Sequence, residues 1–428
     1  VSSGLQRVGR ADHKVGGVSH ALLYPVTRQQ IIGMVASVES MRSGDLEPLR
    51  VIGNPLDVLA QQTVAAAAMH DLKPDEWYAV VRRSAPFRDL ERSMFDATMG
   101  MMTGSYNSED FSAFRPPLQY DEGTGLISAR PGAARLAVTS GGTIPDRGMY
   151  TVVLPEESSG PGPRKVGELD EEMVYESRVG DVITLGTSTW QIQEITHDRV
   201  VVLPAPGRTA RLPFWHGDQD GRDYHFGMTE GRLVRELSRE LSSGADSSVG
   251  KPKFTASAER RLRDDGLDGN AIGNLAALLA EQRESTGIVP DDRELVVERS
   301  REEDGDWRII VHSPFGRRVH EPWAMAITTR LKQRYGFDGQ VHAADDGIIL
   351  RLPDGYADAR ARDLILFDCD ELQRIVETQV GESVLYMARF RECAARSLFL
   401  PRTRPGKRVP LWQQRLKAAQ LLNAARTC

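Results

Sequence analysis

The chain has 428 residues, 40% of them hydrophobic and 27% charged, with a formal net charge of −6. A single hydrophobic core rarely serves more than ~250 residues, so several domains are expected, and the composition excludes both a disordered chain and a bulk polycation. A nucleic-acid partner would need a local basic face, which a net count leaves open. Cys369, Cys393 and Cys428 are too sparse for a zinc CxxC set or a disulfide framework, so a reducing cytoplasm and no metal site are expected. No apolar run approaches the ~18 residues of a membrane span, so no membrane partner is expected.

In chain order, the first segment reads as a loop ending near Pro25. A helix is predicted over about 28–46, with Ile31, Met34, Val35 and Val38 on one face. Asn54 and Pro55 then start another as N-cap and first helical residue, with Leu56, Leu59 and Val64 on its apolar side. A short helix opens at Asp75, and a further one runs over about 88–103 after the interruption at Pro86. With the strand-like segment 126–129, this order fits a winged helix, a fold that reads duplex or fork geometry.

From Met149 the apolar period changes to that of strands, at 150–154, 182–185, 190–195 and 200–203, with glycine- and aspartate-bearing turns between them. Short strands at such intervals predict a small β-barrel or sandwich. A helix over about 229–241 closes this region, and 242–251 (SSGADSSVGK) has the composition of a linker. Beyond it, a helix at 270–282 precedes strands 294–298 and 307–312. A helix at 322–335 and strands 339–342 and 347–352 follow, then helices at 369–379, 382–397 and 410–425. The fold class is therefore α+β and multidomain, divided as 1–27, 28–140 (winged helix), 141–243 (β-barrel or sandwich) and 244–428 (α+β domain).

Several segments carry chemistry. Gln6, Arg7, Gly9 and Arg10 form QRxGR. Guanidinium groups so spaced can hold a transferring phosphoryl group, and Gly9 would let the backbone approach it; the bland reading is a solvated basic stretch. Trp215, in PFWHGD beside Arg208, Arg211 and Arg222, would either stack on an unpaired base or plug the barrel mouth. Ile144, apolar in the glycine-rich 141–148, is either a wedge against a base or buried against the barrel, with Arg147 beside it as a phosphate contact. Arg82 and Arg83 would contact phosphate or cover an amphipathic face. The acidic run 168–176 reads as a solvated turn or helix face. Arg391, Arg396, Arg402, Arg404, Lys407 and Arg408 form a basic stretch for phosphate or for packing against acidic surfaces. DELQ at 370–373 reads as an acidic first helical turn rather than a nucleotide-binding box. No G-x-x-x-x-G-K-[ST] occurs.

QRVGR (6–10), NPLDVLAQQ (54–62), GGTIPDRGMY (141–150), VGELDEEMVYESRVGD (166–181), PAPGRTARLPFWHGD (204–218), HSPFGRRVHEPWA (312–324) and FRECAARSLFLPRTRPGKRVPLWQQR (390–415) resemble, in this order, the large helicase-related (Lhr) proteins. The resemblance covers nearly the whole chain. It implies an ATP-dependent DNA helicase that translocates 3′ to 5′ on single-stranded DNA and unwinds duplexes in DNA repair. Two RecA-like motor domains would be followed by a winged helix, a β-barrel and a C-terminal α+β domain. On that alignment 1–27 ends the second motor domain, and Gln6, Arg7, Gly9 and Arg10 face the phosphates of ATP, with Arg7 and Arg10 catalytic. Asp12 stands where the family motif carries glycine. Expected partners are single-stranded DNA, DNA or RNA–DNA duplexes, and the N-terminal motor domains. ATP and Mg2+ are expected in an intact helicase, and none for this chain alone. A standalone DNA- or RNA-binding module, or the remnant of a truncated gene, is the alternative.

Overall fold

The structure is a computed structural model. It describes residues 1–12, 14–49, 51–105, 114–144, 149–155, 164–175, 177–186, 188–208, 210, 221–242, 252–302, 305–337, 339–356, 358–381, 383–400 and 411–426.

Helix α1 (Ser2–Val8) opens the chain, where a loop is expected, and α2 (Arg28–Ser43) follows, capped by the Thr27 side chain and closed by Gly44 at φ 75°. Next come α3 (Leu56–Ala67), α4 (Pro74–Val81) and α5 (Arg92–Thr103). Asn54 does not cap α3: it sits at φ 48°, and its Oδ1 is buried without a partner, so the helix starts after Pro55. Strands β1 (Leu118–Asp121) and β2 (Leu126–Ala129) precede α6 (Ala133–Ser140). Then come β3 (Met149–Val153), β4 (Lys165–Asp170), α7 (Glu171–Tyr175), β5 (Val182–Leu185), β6 (Ser188–Ile195) and β7 (Arg199–Pro204).

Helix α8 (Tyr224–Arg239) is capped by Asp223; α9 (Ala256–Asp264) and α10 (Gly269–Thr286) are capped by Thr255 and Asp268. Strands β8 (Val296–Arg301) and β9 (Trp307–His312), helix α11 (Arg317–Tyr335), and strands β10 (Gln340–Ala344) and β11 (Gly347–Leu352) follow. The chain ends its described elements with α12 (Ala361–Ile365), α13 (Cys369–Val380), α14 (Val384–Arg396) and α15 (Leu411–Arg426). Helix α11 starts five residues before Pro322, which lies inside it rather than at its head.

Contacts group the chain into two units, each made of two sequence segments: 1–49 with 220–379, and 50–219 with 380–428. This corrects the serial division in two places. Helix α2 does not join the winged helix. Its Ile31, Ile32, Val35 and Ala36 share a core with Leu233 and Leu237 of α8 and Ile272 and Leu275 of α10. Its polar face is pinned by Arg28 on Glu281 and by Arg261 bridging Glu39 and Glu236. Nor do the last helices belong with the α+β sheet. Leu398 is buried in the winged-helix core, and α14 and α15 pack together through Ala394, Ala418 and Leu421. A segment joins the core that its apolar face matches, whatever its distance along the chain.

In the first unit, an antiparallel sheet of order β10-β11-β9-β8 carries α11 on one face. Ile309, Val311, Ile348, Leu350 and Leu352 meet Ile327 and Leu331 there. In the second unit, α3, α4 and α5 with β1 and β2 make the winged helix. Leu72 bridges Ile127 as the third short strand position. Its core is Leu59, Val64, Phe95, Met102, Leu118 and Ile127. The five-stranded sheet has order β4-β3-β7-β6-β5, with β3 and β7 parallel. It curls until its edges approach: a Cβ at Gly167 of β4 would lie 2.7 Å from Leu185 of β5. The barrel expectation is met by a curled sheet enclosing Tyr150, Val152, Leu169, Ile183, Ile192 and Val202.

Candidate nucleic-acid interface

Gln6 and Arg7 lie on α1, not in a loop, and Arg10 follows one turn beyond its end. Gln6, Arg7, Gly9 and Arg10 are exposed, and both arginines lack a hydrogen bond or ion pair among the described residues. Asp12 is turned onto its own loop, where Oδ1 accepts the Lys14 amide at 3.2 Å. Two unpartnered guanidinium groups, one on α1 and one in the turn that follows it, can meet an anionic group from outside this surface.

In the second unit, Ile144 is 88% exposed, so burial against the barrel is ruled out for it. The loop before it is held rigidly. Gln61 of α3, itself buried, donates to the Gly142 carbonyl at 2.9 Å and accepts from the Gly142 amide at 3.3 Å. The same amide nitrogen of Gln61 donates to the Arg396 carbonyl at 3.1 Å. A buried amide with its donors and acceptor all used fixes the backbone it touches. Sequence reasoning missed Gln61, because an amide that bonds across 81 and 335 positions leaves no periodic or motif signal.

The winged helix is less basic than expected. Arg82 turns back to donate to the Arg88 carbonyl at 3.0 and 2.9 Å and stacks at 5.6 Å over Tyr78; Arg83 is exposed and keeps no side-chain partner among the described residues. On α5, Arg92 forks between Asp75 and Asp96, which neutralises that helix surface.

Arg391 and Arg396 are corrected outright as DNA contacts. Arg391 is 3% exposed and ion-paired to Glu171, whose other oxygen takes Arg415 at 3.1 Å. Arg415 also lies 4.7 Å over the Tyr150 ring. Arg396 is held by Asp57 at 2.6 Å, and burial together with that carboxylate pushes the adjacent Cys393 thiol up. The acidic run is only in part a solvated face: Glu168 is exposed and pairs with Lys165, whereas Asp170 and Glu171 are buried, because β4 and α7 carry them under α14. Packing against an acidic surface is what these arginines do. Trp215 and Arg147 lie outside the described residues, as do Arg211, Arg402, Arg404, Lys407 and Arg408. No cluster of metal-ligating side chains occurs among the described residues.

A second charged centre lies in the first unit. Arg222 spans Glu230 and Asp346, both at 2.8 Å, beside a cavity of about 130 Å³. Asp345 accepts the Arg222 and Arg317 amides at 2.7 and 2.9 Å. Burial, with Asp346 and Asp345 nearby, raises Glu230 to about 7 despite Arg222. The folded unit therefore holds this proton more tightly than the unfolded chain. Stability from this group is greatest below pH ~4.5 and falls as pH rises to about 7, by up to about 3 kcal/mol. Urea unfolding of the first unit between pH 5 and 8 should follow that slope, and Glu230→Gln should flatten it; an unchanged slope in the variant would refute the assignment.

The chain carries an arginine-bearing helix in one unit and a winged helix with a curled sheet in the other. Two family models match it: "Large helicase-related protein, winged helix domain" over residues 39–212 and "DEAD/H associated" over 289–428. The chain belongs to the large helicase-related (Lhr) family. It is 55% identical over 426 residues to "Lhr helicase/ probable uracil glycosylase" of Mycolicibacterium smegmatis, covering 100% of this chain and 27% of that protein. The Escherichia coli "Lhr helicase/uracil glycosylase" is 55% identical over 425 residues, again with 99% and 27% covered. Among solved structures, that of M. smegmatis helicase Lhr bound to ssDNA and AMP-PNP matches with a TM-score of 0.74 and 48% identity, over 99% of this chain and 47% of that one. The chain thus spans between about a quarter and a half of these relatives. Among the described residues, no helix is long and apolar enough to cross a membrane.

Proposed function

We propose that this chain is the strand-guiding part of an ATP-dependent 3′–5′ DNA helicase, acting after the nucleotide site and separating duplexes in DNA repair. One observation carries the reading: an isoleucine 88% exposed two residues after Gly142, whose amide and carbonyl are both bonded by Gln61. A rigidly presented apolar side chain has little to gain from water and fits against the face of an unstacked base. The solved relative bound to ssDNA, 48% identical, supports it. Trp215 supplies a stacking partner, Arg147 and Arg83 supply phosphate contacts, and Arg7 and Arg10 complete an ATP–Mg2+ site whose phosphate cradle comes from the motor half. The four sequential modules retain meaning as evolutionary segments, with 1–27 the end of a RecA-like domain, although the contacts regroup them. The protein works in the cytoplasm.

Trp215→Ala is expected to weaken binding of a labelled oligo-dT by about 1–3 kcal/mol, roughly 5- to 150-fold, without changing the melting temperature. Ile144→Ala should weaken it by a smaller factor. A drop in melting temperature with Trp215→Ala at unchanged affinity would identify a barrel plug and refute the strand-guiding role.

A further inference from the structure

Outside these elements, the first unit contains a cavity of about 450 Å³ between the ends of α8 and α10 and the loop before β8. Its walls carry Arg235, Arg239, Arg283 and Arg293. Two of the four are committed. Arg235 forks onto Asp292 at 2.7 and 3.1 Å, and Arg283 donates to the Ser238 carbonyl at the end of α8. The side chains of Arg239 and Arg293 are exposed and make no hydrogen bond or ion pair among the described residues, although Arg235 and, more weakly, Arg293 hold the Asp292 carboxyl below its usual range. Of the two acids in the wall, Asp291 accepts the Arg293 and Glu294 amides at 2.6 and 2.9 Å and Glu294 is exposed, while Asp292 beside the wall takes Arg235.

An independent observation concerns the same wall. Ser238 lines the cavity, and its hydroxyl is buried without a hydrogen-bond partner. A buried hydroxyl left unpaired is costly and rare, so a missing acceptor is the simplest way to satisfy it. Helix C-termini need cations to balance their carbonyls, which accounts for Arg283. It does not account for two further arginines whose side chains make no hydrogen bond, nor for a hydroxyl without an acceptor.

We propose that this cavity binds a phosphate group, with the Ser238 hydroxyl donating one hydrogen bond and Arg239, Arg293 and Arg283 surrounding the anion. Guanidinium forks match phosphate oxygens in geometry and charge. The group is either a phosphodiester of a nucleic-acid strand or the phosphate of a free small ligand. The site uses none of the residues of the strand-guiding reading and does not depend on it.

The test uses the full 428-residue chain and the double variant Arg239→Gln with Arg293→Gln, since both side chains are exposed and unpartnered. Arg263→Gln, exposed and outside the cavity, is the charge control. Calorimetric titration with inorganic pyrophosphate should show binding that is at least tenfold weaker in the double variant and in Ser238→Ala, and unchanged in the control. If the source is a strand, the double variant also weakens oligo-dT binding, and the slope of log affinity against log salt flattens by ~0.7 for each lost contact. If only pyrophosphate binding falls, the ligand is a free phosphate compound. Pyrophosphate and oligo-dT binding that are both unchanged, or a control that falls equally, would overturn the proposal. Insensitivity of oligo-dT binding to Trp215→Ala would overturn strand guiding and leave the pyrophosphate result standing.

Discussion

Replacing Glu171 with alanine is expected to cost the second unit about 3–5 kcal/mol. Glu171 is the shared anion of two arginines from helices far downstream, Arg391 on α14 and Arg415 on α15. Arg391 is 3% exposed, so removing its carboxylate strands a cation where water cannot reach it. The loss comes from that uncompensated charge, not from the modest net attraction of the intact group. Replacing all three by apolar residues of similar volume, Glu171→Leu with Arg391→Met and Arg415→Leu, should therefore recover most of the loss. Hydrogen exchange of the β3–β7 amides across a urea titration reads both effects. A Glu171→Ala penalty below about 0.5 kcal/mol would mean that the arginines find water or other partners.

Turnover is where the second large effect is expected. The 428-residue chain alone should hydrolyse no ATP above background, because its arginines face no phosphate cradle: the sequence holds no G-x-x-x-x-G-K-[ST]. Once a motor half is supplied, fused or in trans, ATP turnover stimulated by single-stranded DNA should appear, and Arg10→Ala should lower it by about 10³-fold or more. Such a guanidinium acts mainly on charge that develops as the phosphoryl group transfers, so the loss should fall on kcat more than on KM. Arg10→Lys should recover little, since a point charge does not reproduce a planar fork. The unpartnered state of Arg7 and Arg10 makes the test clean, because no internal ion pair is broken. DNA-stimulated hydrolysis by the chain alone, or an Arg10→Ala effect confined to KM, would refute this role.

The pattern of success along the sequence has a physical reason. Strands 182–185, 307–312 and 347–352 were legible to the residue, because alternation and turn residues are local signals. β4 and α7 were not: their acidic residues resemble a solvated turn until Arg391 and Arg415 arrive to neutralise Glu171. Arg391 and Arg396, open in the sequence to phosphate or to acidic packing, take the second course for the same reason from the other side. Charge in a sequence has a sign but no partner, and an arginine facing phosphate is spelled like one facing a buried glutamate.

By itself the sequence determined the family, the α+β class, the order of winged helix and curled sheet, and the arginine motif of residues 6–10. The family rests on the resemblance of the seven stretches from QRVGR to FRECAARSLFLPRTRPGKRVPLWQQR, and the other features rest on short-range spacing. Only the tertiary structure decided which segments share a core, sending α2 to the unit of α8 and α10 and the last helices to the winged helix and barrel. It alone also decided which cations are spent and which stay available, leaving Arg7, Arg10, Arg83, Arg239 and Arg293 unpartnered while burying Arg391. Burial and ion pairing depend on contacts across hundreds of positions, and a linear pattern carries no record of them.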